Sequence, residues 1–221
     1  MITRLFVEFT RKDLLSAIDP NFIHHKQYTK DLKSKIGQAS IDSKNWYFDK
    51  VEGEKLIFKI KSATENKLYN NIVILKDSYD WLIKNFNFDS YDLTSSKDKD
   101  KMVYELKYYF RGALDTDDLD LYCDCPAFLY WGYKYLATQL DYVDKDNKET
   151  RPAKKRNPTD RGSVCKHLNI TLRAMSDNRI KPYIIEYLVD EFLDINKDRL
   201  PKEFRNPWWR GYFHYIKKLI K

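Results

Sequence analysis

Hydrophobic and polar residues alternate in three consecutive segments of the first half of the chain. The segments are 46–51, 55–61 and 68–75, and a short Glu52-Gly53 turn separates the first two. A period of two is typical of strands that bury one face, and a short polar turn joins such strands into a hairpin. The pattern therefore predicts a three-stranded antiparallel meander as the core of the N-terminal half.

Elsewhere the apolar positions recur every three or four residues, which is the spacing of a helix face. Residues 87–101 and 141–164 are polar and predict loops, of which the second is exposed and basic, and residues 4–9 and 102–110 predict further strands. The strand at 102–110, turned at Arg111-Gly112, is expected to form a hairpin with the segment 119–122. The predicted helices lie at 10–18, 24–36, from Asp77 or Ser78 to Phe86, 126–140, from Val164 to Met175, and 182–195.

These elements predict an α+β fold, in which antiparallel β-hairpins and a meander are flanked by helices. We expect three portions along the chain. Residues 1–101 form an N-terminal α+β portion, residues 102–175 a module that holds every cysteine and a long basic insert, and residues 176–221 a helical tail rich in aromatic and basic residues.

The charge of the chain permits an acidic partner without requiring one. The net charge is +7, yet 33 acidic residues accompany the 40 basic ones, so the surface is mixed rather than uniformly basic. Ordinary solvated charge is the favoured explanation of this balance. The five aspartates between residues 115 and 124 are interpreted in the same way, as a solvated strand edge.

Apolar runs and cysteine content restrict the class of protein further. No apolar run approaches the roughly 20 residues of a membrane span, so no membrane partner is expected. The first residues lack the apolar block of a secretory signal, which favours retention in the cytoplasm of the producing cell. Three cysteines cannot all pair, which favours reduced thiols over a disulfide framework.

The three cysteines and one of the four histidines follow each other in a suggestive order. Cys123-Asp124-Cys125 is followed, after 39 intervening residues, by Cys165-Lys166-His167. Three thiolates and one imidazole form a Cys₃His set, a common ligand set of structural zinc. The alternative is that three small buried cysteines and a core histidine fall in this order by chance. We therefore predict a Zn²⁺ site with the ligands Cys123, Cys125, Cys165 and His167.

Four protein ligands leave no open position on a zinc ion for water or substrate, so the predicted site is structural rather than catalytic. The sequence contains no other pattern of a nucleophile and base, no Gly-rich phosphate loop and no paired carboxylates that indicate catalysis. We therefore expect a protein that is not an enzyme and has no small-molecule substrate.

The order C-x-C…C-x-H resembles the SWIM-type zinc finger. The resemblance covers residues 102–175, and its most specific parts are Cys123-Asp124-Cys125-Pro126 and Val164-Cys165-Lys166-His167-Leu168. It implies a zinc-stapled hairpin–helix module, in which a β-hairpin carries the first two cysteines and a helix carries Cys165 and His167. The insert is longer than in most SWIM modules, and with Arg156-Asn157-Pro158 near its end it is similar to versions found in uncharacterised tailed-bacteriophage proteins.

The resemblance implies a bacteriophage virion protein, that is, a component of the capsid, neck or tail that binds other phage structural proteins. Such a protein is made in the cytoplasm of the bacterial host and ends in the virion. The alternative is an accessory protein that binds DNA or RNA through phosphate contacts of a basic loop and the C-terminal tail. The residues expected to bind a partner or nucleic acid are Arg151, Lys154, Lys155, Arg156, Arg161, Trp208, Trp209 and Arg210.

Overall fold

The structure is a computed structural model that describes residues 46–62, 65–116, 118–152, 164–178 and 180–200. The strand predicted at 4–9, the helices predicted at 10–18 and 24–36, and the aromatic C-terminal tail lie outside the described residues. Among those that are described, no helix combines the length and the apolarity that crossing a bilayer requires.

Four antiparallel strands form one sheet in the order β1–β2–β3–β4. The strands are β1 (Trp46–Glu52), β2 (Lys55–Lys61), β3 (Leu68–Leu75) and β4 (Leu119–Cys123). The predicted meander of β1, β2 and β3 is confirmed. Gly53 has a φ of +57°, a backbone conformation that glycine adopts at little cost, so the predicted turn falls where the sequence places it.

Helices flank this sheet, which confirms the α+β fold class. The helix predicted from Ser78 and the helices predicted near 165–175 and 182–195 are all present. The helices are α1 (Ser78–Asn85), α2 (Ser96–Thr116), α3 (Pro126–Tyr130), α4 (Tyr133–Gln139), α5 (Lys166–Ser176) and α6 (Lys181–Ile195), with 3-10 turns at Phe88–Ser90, Lys145–Asn147 and Lys197–Arg199.

Helix α2 contradicts two of the predictions made from the sequence. The strand predicted at 102–110 is wrong, because these residues are helical, and the loop predicted at 87–101 is wrong from Ser96 onward. Met102, Leu106 and Phe110 are fully buried at helical spacing, and α2 packs against α6. Tyr104 and Tyr108 are 69% and 73% exposed, so the apparent alternation came from tyrosines that face outward.

The predicted hairpin of 102–110 with the cysteine-bearing strand is therefore wrong as well. The partner of β4 is β3, with Asn71 opposite Cys123 and Leu75 opposite Leu119. The segment before the cysteines is still a strand, as predicted, but it is an edge strand of the main sheet in the described part of the chain. The proposed portion boundary between residues 101 and 102 lies within α2, and the division into portions stays a prediction.

The helix predicted at 126–140 is present as two short helices, α3 and α4. Gly132 has a φ of +89° and occupies the N-cap position of α4, so the chain changes direction between the two. Phe128 is fully buried, in agreement with a core role for this aromatic segment rather than a platform for stacking bases.

The insert was expected to form an exposed loop from residue 141, and its first residues differ from that expectation. Tyr142 and Val143 are buried, and the carbonyl of Tyr142 accepts a hydrogen bond of 2.9 Å from the N–H of Leu121. These two residues are apolar in a largely polar segment, and burying them places the start of this loop against β4. Residues 153–163 lie outside the described part of the chain.

Candidate metal centre

The four residues predicted as ligands come together in the core. One ligand atom from each of Cys123, Cys125, Cys165 and His167 can be chosen so that all four lie within 4.8 Å of one another. None of these residues is more than 3% exposed. Two pairs of residues with 39 residues between them in the sequence therefore form one buried cluster that could hold a metal ion.

The first two cysteines are positioned by the end of β4 and the start of α3. Cys123 is the last residue of β4, and its Sγ accepts a hydrogen bond of 3.4 Å from the N–H of Cys125. Cys125 is the N-cap of α3, and its Sγ accepts a hydrogen bond of 3.3 Å from the N–H of Phe128. Pro126 begins α3 without needing a partner for an N–H. Backbone N–H groups that point at sulfur stabilise the thiolate form.

The last two residues of the cluster come from the start of α5. Cys165 occupies the N-cap position, and His167 lies in the first turn. Nδ1 of His167 is 3.9 Å from Sγ of Cys123, and its imidazole ring lies 5.0 Å from the ring of Tyr69 on β3. Helix α5 packs on both β3 and β4, which holds its N-terminus over the end of the cysteine strand.

The spacing of these atoms fits a tetrahedral ion. With metal–sulfur bonds of about 2.3 Å and metal–nitrogen bonds of about 2.0–2.1 Å, neighbouring ligand atoms of a tetrahedron are about 3.8 Å apart for two sulfurs and about 3.5–3.6 Å apart for a sulfur and a nitrogen. The distance of 3.9 Å between Cys123 Sγ and His167 Nδ1 exceeds that sulfur–nitrogen edge by about 0.3–0.4 Å, and the limit of 4.8 Å for the whole set exceeds the sulfur–sulfur edge by about 1 Å. A small contraction of the cluster would complete the tetrahedron.

The thiols perturb one another's pKa values. Burial raises the pKa of Cys123 and of Cys165 well above the usual range of a thiol. Hydrogen bonds from Cys123 and then Cys165 lower the pKa of Cys125, which makes Cys125 the thiolate that the other two thiols stabilise. A bound cation would favour the thiolate form at all three positions, because its charge offsets the cost of burying them.

The residue between the first two cysteines attaches their turn to the sheet. The carboxylate of Asp124 accepts hydrogen bonds from the backbone N–H of Asn70 at 2.9 Å and from its Nδ2 at 2.7 Å. The N–H of Asp124 donates in return to the carbonyl of Asn70 at 3.2 Å. This contact extends the pairing of β3 with β4 past the last ladder residue and fixes the direction in which Cys123 and Cys125 point.

Replacing Asp124 with alanine is expected to destabilise the fold. The change removes both hydrogen bonds to a charged acceptor and leaves the half-buried amide of Asn70 without them, which costs about 1–3 kcal/mol of unfolding free energy. Urea denaturation of Asp124→Ala measures this, with Asp146→Ala, at an exposed aspartate in the 3-10 turn Lys145–Asn147, as the control. Equal midpoints for the two variants would show that the contact contributes nothing.

Of the residues predicted to bind a partner, the structure describes Arg151, which lies on the surface with 86% of its side chain exposed. Its guanidinium donates to the carboxylate of Glu149 at 3.0 and 3.1 Å, and these bonds lower the pKa of Glu149 to about 2. Part of the charge of Arg151 is thus compensated locally. The other predicted contact residues, Lys154, Lys155, Arg156, Arg161, Trp208, Trp209 and Arg210, lie outside the described residues.

The contribution of β3 to this centre was not predicted from the sequence. The ring of Tyr69 contacts that of His167, and Asn71 pairs with Cys123 across the two strands. Asn70 hydrogen-bonds to Asp124, the residue between the first two cysteines. A signal was present, because the pair Asn70-Asn71 interrupts an otherwise apolar strand, and Asn71 is fully buried. Buried amides in a strand indicate a polar neighbour across the sheet.

The fold and the cluster together define an α+β protein with a buried Cys₃His centre that could hold a metal ion. No family model matches the chain, and no curated protein and no solved structure matches it.

Proposed function

We propose that the Cys₃His cluster binds one Zn²⁺ ion as a structural site. The observation that carries the proposal is the convergence of three thiols and one imidazole within 4.8 Å in a fully buried position. Zinc is the ion that such nitrogen and sulfur ligands hold in closed tetrahedral sites. When bound, it would link the end of β4, the start of α3 and the start of α5.

The proposed site has no role in catalysis. A zinc ion held by Cys123, Cys125, Cys165 and His167, all of which are buried, has no position left for water or substrate. We therefore propose a protein that is not an enzyme and acts by binding another macromolecule. The surfaces that bind lie outside the metal centre.

The partner that we propose is another structural protein of a bacteriophage particle. The support is the resemblance of the C-x-C…C-x-H order and its long insert to SWIM modules of that kind, together with the aromatic and basic residues that the sequence places in the C-terminal tail. Trp and Arg are the residue types that most often anchor protein interfaces. The protein would then be made in the bacterial cytoplasm and be retained in the assembled virion.

Binding to nucleic acid is the second candidate function, and the basic composition of residues 151–161 favours it. Of these cations, Arg151 is engaged by Glu149, so phosphate contacts would depend chiefly on the others. Binding through phosphates weakens steeply as salt rises, because counterions are released from the nucleic acid.

Purification of intact particles from the producing host distinguishes these functions. We expect the protein to remain with the particles through a density gradient in high salt, at a constant ratio to the other virion proteins. A protein that is absent from the particles, yet binds DNA or RNA with an affinity that falls at least about tenfold between 50 and 200 mM salt, would favour the second function. Absence from the particles without such binding would contradict both.

A further inference from the structure

The two imidazole nitrogens of His167 have different surroundings. Nδ1 lies 3.9 Å from the thiol of Cys123, whereas Nε2 is buried and has no hydrogen-bond partner among the described residues. A neutral imidazole that binds a metal through Nδ1 carries its proton on Nε2. Metal-binding histidines almost always donate that proton to an acceptor, which fixes the tautomer and the orientation of the ring. His167 therefore needs an acceptor within the core.

Asn71 offers such an acceptor. Its side chain is fully buried, and its Nδ2 donates a hydrogen bond of 3.2 Å to the carbonyl of Tyr69. That bond identifies which end of the amide is nitrogen, so the other end is the oxygen. Oδ1 of Asn71 is buried without a hydrogen-bond partner in the described part of the chain. One unpaired donor and one unpaired acceptor thus belong to the same region of the core.

The strand pairing places these two residues beside each other. Asn71 is directly opposite Cys123 across β3 and β4, and Cys123 is the residue whose sulfur faces Nδ1 of His167. Tyr69, two residues earlier and on the same face of β3, has its ring 5.0 Å from the imidazole. His167 therefore lies against the part of β3 that carries Tyr69 and Asn71.

We propose that Asn71 is a positioning residue of the metal centre, and that its Oδ1 accepts the Nε2–H of His167 when a metal is bound at Nδ1. The inference rests on the zinc site proposed above and adds the group that orients its histidine. The hydrogen bond holds the proton on Nε2 and stops the ring from rotating, so the lone pair of Nδ1 stays directed at the metal.

Thr171 is the competing acceptor. It lies one turn after His167 on α5, is fully buried, and its Oγ1 also has no hydrogen-bond partner in the described residues. A threonine hydroxyl in a helix can donate to the carbonyl four residues earlier, whereas the amide oxygen of Asn71 can only accept. If Asn71 is the acceptor, its replacement weakens zinc binding, and if Thr171 is the acceptor, the replacement of Thr171 does so. Substitutions therefore distinguish the two.

Zinc affinity, measured by competition with a chromogenic chelator in the full chain, tests the proposal. Asn71→Leu, which has a similar volume and no acceptor, is expected to bind zinc at least about tenfold more weakly than the wild type. Asn71→Asp keeps an oxygen acceptor and is expected to bind zinc at least about threefold more tightly than Asn71→Leu. Thr171→Val is the matched control and is expected to stay within about threefold of the wild type.

A second measurement needs no substitution and decides the question if Asn71→Leu does not fold. In the zinc-loaded wild type, the Nε2 proton of His167 is expected to exchange slowly with solvent and to show a nuclear Overhauser effect to the side chain of Asn71. A rapidly exchanging Nε2 proton, wild-type affinity in Asn71→Leu, or a tenfold loss in Thr171→Val would each overturn the role of Asn71 while leaving the zinc site in place. A wild-type protein that binds no zinc would overturn the site itself.

Discussion

Cys123→Ser is expected to purify without the zinc ion that the wild type carries at about one per chain, and to melt at least about 6 °C lower. Structural zinc contributes about 10–16 kcal/mol of apparent binding free energy in small zinc-binding peptides. Here the sheet and helices retain their own core, so we expect a smaller loss, of at least about 3 kcal/mol, from the separation of β4, α3 and α5. Metal analysis and thermal unfolding measure the two effects.

Lys166→Ala is the matched control for this experiment. Lys166 lies between Cys165 and His167 in the sequence and is half-buried, but it offers no ligand to the cluster. This variant should keep the zinc ion and a melting temperature close to that of the wild type. Treating the wild type with a strong chelator should reproduce the melting temperature of Cys123→Ser, which should itself be insensitive to the chelator. A wild-type protein that is free of zinc when purified and unaffected by added zinc would contradict the structural role.

Phe192→Ala is expected to lower the unfolding free energy by about 3–5 kcal/mol, because it removes the centre of an aromatic cluster. Phe192 is fully buried on α6, and its ring centroid lies within 6.1 Å of four others. These rings come from α1, the segment that follows it, and α2. They belong to Tyr79, Phe86, Phe88 and Phe110.

Urea denaturation measures this loss, and Tyr108→Ala provides the control. Tyr108 is also aromatic and helical, but it is 73% exposed, so its replacement is expected to change stability by no more than about 0.5 kcal/mol. The zinc content of both variants should equal that of the wild type, because neither residue is a ligand in the Cys₃His cluster. Similar denaturation midpoints for the two variants would show that the aromatic cluster is not a main source of stability.

Local periodicity was sufficient to predict elements in which the recurring apolar residues face the core. The alternation of Leu56, Phe58 and Ile60 in β2, and the spacing of Leu188 and Phe192 in α6, correspond to residues that are buried in the structure. Helix α2 was predicted as a strand because Tyr104 and Tyr108 were counted as apolar positions of an alternating pattern, although both side chains face solvent. A tyrosine can occupy either side of an element, so it weakens any inference from periodicity.

Part of the candidate site could likewise be predicted from the sequence, and part could not. The four cluster residues could be predicted because cysteine and histidine have specific metal-binding chemistry. In addition, Cys123 lies two residues from Cys125, and Cys165 lies two residues from His167. The contribution of β3 could not, because Asn70 and Asn71 reach the cluster only through the pairing of β3 with β4, across a separation of about fifty residues. Such a pairing is decided by the whole sheet and leaves little trace in the sequence of either strand.

The segment between Cys125 and Cys165 begins and ends at the same buried point, because both residues belong to one cluster. The rest of the fold therefore constrains how this segment starts and finishes far more than how long it is. For a flexible loop whose ends are fixed, doubling the length costs only about 0.6 kcal/mol. Evolution can lengthen, shorten or exchange the middle of the segment while the sheet and the Cys₃His cluster stay the same.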